Sequence, residues 1–143
     1  MAEKQRILII DDNHALVLAA KLVLEKNGFD VVIAYDGVEG LEKAQKEKPD
    51  LIILDINMPV MDGYEVCRKL RAEPQTSAIP VIILSSRGEV DYNKNAPAIG
   101  LKDVFDGYNL GANNFLTKPV SANELLDAVN KELSFLSLLK ESE

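Results

Sequence analysis

The chain has 143 residues, 47% of them hydrophobic and 27% charged, with a net charge of −7. That length supports one domain with a full core, and the acidic balance, with no basic patch, disfavours direct nucleic-acid binding. No apolar run approaches the ~20 residues that cross a bilayer, and MAEKQRILIIDD is too short in its apolar part to be a signal peptide; with a single cysteine, Cys67, and so no internal disulfide, a cytoplasmic location is expected.

The first apolar run, ILII at 7–10, is read as a strand and stops at Asp11 and Asp12. His14 to Lys26 follows with apolar residues at helical spacing and ends at Asn27-Gly28, a helix stop. VVIA at 31–34 is a weaker strand, and Val38 to Lys46 is a short helix halted before Pro49. LIIL at 51–54 runs into Asp55; Tyr64 to Ala72 is the third helix, and VIIL at 81–84 is a strand followed by Ser85 and Ser86. Leu101 to Leu110 is read as a fourth helix and FLT at 115–117 as a fifth strand, followed by Lys118-Pro119. A fifth helix spans about 121–140, with Ser121 and Glu124 at the spacing of a capping box. The continuous, β-branched-rich runs suit strands buried on both faces of a parallel sheet. Five alternations of strand and helix predict one doubly wound α/β domain over 1–143, with ligands bound beyond the carboxyl ends of the strands.

Three carboxylates (Asp11, Asp12, Asp55), the hydroxyls of Ser85 and Ser86 and the amine of Lys118 are therefore expected at one edge of the sheet. Each has an ordinary explanation alone: Asp12 or Asn13 as a helix cap, Ser85 as a strand-end hydroxyl, Lys118 as a solvated amine. Capping does not need three acids and a lysine on neighbouring strands. Clustered carboxylates repel each other unless a cation lies among them, and hard oxygen ligands at one edge suit Mg²⁺. Acids, Mg²⁺, an amine and a hydroxyl form a phosphoryl-transfer set in which a carboxylate can be the nucleophile.

At this point a resemblance is evident. Asp55-Ile56-Asn57-Met58-Pro59-Val60-Met61-Asp62-Gly63 resembles the D-x-x-M-P-x-M-D-G signature of response-regulator receiver domains, the CheY-like family. The likeness covers nearly the whole chain: an acid pair after the first strand, the signature after the third, a hydroxyl after the fourth and K-P after the fifth. It implies a flavodoxin-like five-stranded sheet in the order 2-1-3-4-5, the order the general description of doubly wound folds gives for CheY. It further implies that Asp55 accepts a phosphoryl group from a histidine kinase or histidine phosphotransfer protein. Asp12 and Asp55 match the direct Mg²⁺ ligands, with the Asn57 main-chain carbonyl as a third and Asp11 acting through water. Lys118 matches the residue that pairs with Asp55 and then with the phosphoryl oxygens. Ser85 matches the switch hydroxyl and Phe115 the aromatic that follows it. Such a protein is no conventional enzyme, although it catalyses its own phosphorylation and dephosphorylation.

Ser86 stands where the family usually has a smaller residue, and the resemblance places Asn57 and Arg87 at positions that in the family tune loss of the phosphate. Ser85 and Lys118 stand 33 positions apart, whereas one helix and two short loops need only about 20 residues; the excess, 87–100, is read as an extended loop. His14 is read as a surface residue, Cys67 as a small packed residue, Met58 and Met61 as loop packing, and 42–50 as a solvated helix face. Because the chain ends near the fifth helix, a stand-alone receiver is expected, with output through an unidentified protein partner or a homodimer. SFLSLL at 134–139 holds more large apolar residues than one core stripe can use, so this helix end either folds back on the domain or forms a contact surface; the resemblance implies output through the face of the fourth helix, fifth strand and fifth helix. Two alternatives stand beside this reading. One is a Mg²⁺-dependent phosphatase of the haloacid-dehalogenase type, which the order of the acids opposes. The other is a phosphorylation-independent scaffold, which the presence of every site residue opposes.

Overall fold

The computed structural model describes residues 4–86 and 112–141, with positions 86, 136, 137 and 139–141 described through the backbone alone. Its elements are β1 (Arg6–Ile10), α1 (His14–Lys26), β2 (Asp30–Ala34), α2 (Gly37–Glu47), β3 (Leu51–Asp55), α3 (Gly63–Ala72), β4 (Val81–Ser86), β5 (Asn114–Lys118) and α4 (Ala122–Glu141). The expected fourth helix, the 87–100 loop and Arg87 lie outside the described residues, so α4 is the helix expected as the fifth. The sheet is five-stranded, in the order β2-β1-β3-β4-β5, and every pairing is parallel.

The strands carry apolar residues without alternation because each strand serves two cores. Ile7, Ile9, Leu51, Ile53, Ile82 and Leu84 pack with Val17 and Leu24 of α1 and Leu125, Val129 and Leu133 of α4. Their neighbours Leu8, Ile10, Ile52, Leu54, Val81 and Ile83 pack with Ala44 of α2 and Val66, Cys67 and Leu70 of α3. Ile7 to Ile10 are all fully buried, each worth about 1.5–3 kcal/mol relative to exposure. The outer strands β2 and β5 are mostly half-buried, which is why VVIA and FLT are the weaker sequence signals.

Helix starts follow local chemistry. The Asn13 side chain accepts from Leu16 N–H, so Asn13, not Asp12, caps α1. Asp36 accepts from Glu39 N–H while Glu39 accepts from Tyr35 N–H, which starts α2 one residue before the expected Val38. Ser121 accepts from Glu124 N–H at 3.1 Å, half of the expected capping box. Along α4, the stripe Leu125–Val129–Leu133 is buried, whereas Phe135 and Leu138 are more than half exposed. The apolar excess at this helix end thus faces solvent at those two positions.

Candidate functional site

Strand register brings the acids together. Ile10 lies opposite Leu54, and Asp55 opposite Leu84. Asp11, one residue beyond β1, therefore reaches the level of Asp55, the last residue of β3. Ser86 lies opposite Lys118, the last residue of β5 rather than the residue after it. One carboxylate oxygen each from Asp11, Asp12 and Asp55 lies within 4.8 Å of the others. Asp11 and Asp55 are almost completely buried, at 1% exposure each, while Asp12 is exposed.

Lys118 bridges the buried pair. Its Nζ donates to Asp11 Oδ2 at 2.9 Å and to Asp55 Oδ1 at 3.2 Å. The sequence reading paired this lysine with Asp55; the structure adds Asp11 as the closer partner. Burial alone pushes the Lys118 pKa down, but the hydrogen bond and charge of Asp11, then those of Asp55, outweigh it and hold the amine above its ordinary value. Asp11 is occupied on its other side too, where Oδ1 accepts from Asn13 N–H at 3.0 Å. An acid so engaged suits an indirect role toward a cation, whereas exposed Asp12 has its carboxylate in water. Three hard carboxylate oxygens at this separation fit a divalent ion such as Mg²⁺, which binds through one or two carboxylates and retains waters.

The loop after β3 explains its own sequence. Ile56 N–H donates to Leu84 O, which carries the chain off β3, and Gly63 N–H donates back to Ile56 O at 2.7 Å. A Cβ on Gly63 would lie 2.4 Å from Asp55 O and 2.7 Å from Ile56 Cα, so only glycine permits α3 to start this close to Asp55. Asp62 caps α3 by accepting from Glu65 N–H. Met58 is buried and Met61 half-buried against the α2–α3 core, as read from sequence. Between them, Met61 N–H donates to Pro59 O across Val60, which has φ 71° and is 97% exposed. This is a three-residue turn of the rare positive-φ kind, and strain of this type costs of order 1–3 kcal/mol. Asn57 is exposed beside it.

Ser85 is buried within β4, one residue past the level of Asp55, and Phe115 in β5 is half-buried against the α2–α3 core. The described geometry thus gathers Asp11, Asp12, Asp55 and Lys118, with Ser85 on the strand between Asp55 and Lys118. Burial pushes the Cys67 thiol up, against the opposing charge of Arg71, which fits the packed role expected for it. One pair escaped the sequence reading: the rings of His14 and Tyr35 stack with centroids 3.9 Å apart and planes 5° from parallel. No local sequence signal marks it, because only the alignment of Ile10 with Ala34 brings Tyr35 level with the residues that follow β1.

Comparison with known proteins points one way. The profile described as "Response regulator receiver domain" matches residues 7–130. The chain is 40% identical over 121 residues to the alkaline phosphatase synthesis transcriptional regulatory protein PhoP of Bacillus subtilis, covering 85% of this chain and 45% of that protein. It is 36% identical to protein PilH of Pseudomonas aeruginosa, covering 90% of this chain and 98% of that one. The chain therefore spans less than half of some curated relatives and nearly all of another. A crystal structure of a putative response regulator from Chloroflexus aurantiacus superposes with a TM-score of 0.79 at 30% identity, over 92% of this chain and 99% of that one. Chemotaxis response regulator CheY4 of Vibrio cholerae gives 0.75 at 31% identity, over 90% and 98%.

Proposed function

From the premise that this chain belongs to the response regulator receiver family of two-component systems, we propose that Asp55 is its phosphoryl acceptor and that Mg²⁺ is its cofactor. The observation that carries this reading is the bridge of Lys118 Nζ between buried Asp11 and Asp55, beside exposed Asp12. A carboxylate oxygen of Asp55 attacks phosphorus. The donor's P–N bond breaks, its electron pair stays on the imidazole nitrogen, and that nitrogen takes up a proton. Asp12, Asp55 and the Asn57 main-chain carbonyl would hold the ion, with Asp11 acting through water. Bound Mg²⁺ supplies positive charge against the phosphoryl oxygens. Lys118 moves from Asp55 to one of those oxygens, and Ser85 donates to another.

The donor is a histidine kinase or histidine phosphotransfer protein, met in the cytoplasm; among the described residues no helix is long and apolar enough to cross a membrane. Phe115 follows Ser85 inward and so alters the β5–α4 face, where Phe135 and Leu138 are exposed. That face carries output to a protein partner or a second copy, without direct nucleic-acid contact. Incubation with acetyl phosphate and Mg²⁺, followed by mass analysis, tests the assignment. One phosphoryl group is expected on Asp55 and none on Asp55→Asn; equal labelling of that variant overturns it.

A further inference from the structure

We propose that the stacked rings of His14 and Tyr35 are a positioning device for Asp12, and through it for the divalent cation; this rests on the reading that Asp12 is a metal ligand. Asp11 is fixed by Lys118 and by Asn13 N–H, and Asp55 by Lys118. Among the described residues no side-chain hydrogen bond or ion pair holds the Asp12 carboxylate, which is exposed. Its placement must come from the backbone on either side. On one side, Asp11 N–H donates to Ala34 O at the end of β2. On the other, His14, the first residue of α1, stacks on Tyr35, the residue after Ala34. The same two-residue step, Ala34 and Tyr35 at the end of β2, therefore grips the chain before and after Asp12. The ring pair fixes where α1 begins relative to the sheet edge, and an exposed ligand on so short a span inherits that position. Loss of a partner that orients a ligand costs ~10- to 100-fold in metal affinity.

The test is titration of the metal-free chain with MgCl₂, followed by calorimetry at one fixed pH. Tyr35→Ala and His14→Ala should each bind Mg²⁺ about 10-fold more weakly than wild type. Tyr35→Phe, which keeps the ring, should bind like wild type. The double variant should lose no more than either single one, because each already abolishes the stack. His14 is exposed at a helix start, so His14→Ala folds even where Tyr35→Ala does not. Wild-type affinity in both alanine variants overturns the inference, as do equal losses in Tyr35→Phe or additive losses in the double variant. Absence of Mg²⁺ binding by the wild type instead overturns the cation reading beneath it.

Discussion

Each end of the parallel sheet places one basic side chain between two acids, and the two arrangements differ in kind. At the end where the strands begin, Arg6 Nε meets Asp30 at 3.0 Å and Nη1 meets Glu47 at 3.3 Å. At the other end, Lys118 meets Asp11 at 2.9 Å and Asp55 at 3.2 Å. The distances match, but the surroundings do not. The Arg6, Asp30 and Glu47 side chains are 39%, 49% and 35% exposed, against 10% for Lys118 and 1% for each of its acids. Water screens the first cluster, so its pairs are worth little. The second has no such relief, and removing one partner strands the others. Ion-pair geometry alone therefore does not mark a functional site; what sets this cluster apart is charge held out of water beside a third, exposed acid.

The largest expected effect comes from Lys118→Met. It leaves two buried carboxylates facing each other and should cost about 3–5 kcal/mol in urea unfolding at neutral pH. Adding Asp55→Asn should return part of that loss; no return would mean the lysine acts through packing alone. The same amine has a pH signature. Its folded-state pKa lies above the ordinary 10.5, so its contribution is whole below that value and is lost as pH rises through the folded one. As pH rises above the ordinary lysine value, unfolding midpoints should fall more steeply for wild type than for Lys118→Arg, whose guanidinium stays charged.

Gly63→Ala comes next, at about 1–3 kcal/mol, because its Cβ has no room against Asp55 O; slower labelling by acetyl phosphate should accompany it. Asp12→Ala should spare the metal-free fold, or stabilise it by relieving repulsion, while weakening Mg²⁺ binding by at least ~10-fold, measured by calorimetry. A fold that loses stability without the metal would contradict the crowded-acid picture. Arg6→Ala is the smallest change, under about 1 kcal/mol by urea unfolding. A loss as large as that of Lys118→Met would erase the contrast between the two ends.

The strands and the acids at their ends were legible because both rest on short-range pattern, apolar runs that stop at a polar or charged residue. Asp55 and Lys118 were legible for that reason, whereas the sheet order came only with the resemblance carried by the motif at 55–63. The division of labour among the acids was less so. Nothing local says that Asn13 caps α1 and leaves Asp12 in water, since either side chain can cap. Nor does it say that Lys118 sits nearer Asp11 than Asp55, which depends on the placement of three strands. The His14–Tyr35 stack was invisible because its two rings are 21 residues apart and meet only after β2 has paired with β1. Gly63 appeared in the motif without its reason, which is a backbone approach across the loop.

The two-sided core of β1 has a further consequence. Ile7 and Ile9 face one helical layer, Leu8 and Ile10 the other. Sliding such a strand by one step exchanges aliphatic side chains of nearly equal size between equally dry layers. In a sheet with one wet face the same slip would drown the apolar row; here the greasy middle of the strand discriminates poorly between right and wrong alignment. The teeth of the key are the polar residues at its tips. A slipped β1 would carry Arg6 away from Asp30 and Asp50 and pull Asp11 off Lys118. The cluster proposed for phosphoryl chemistry thereby also proofreads how the chain is threaded, and a variant stripped of charge at both tips should be the one in which misaligned molecules accumulate.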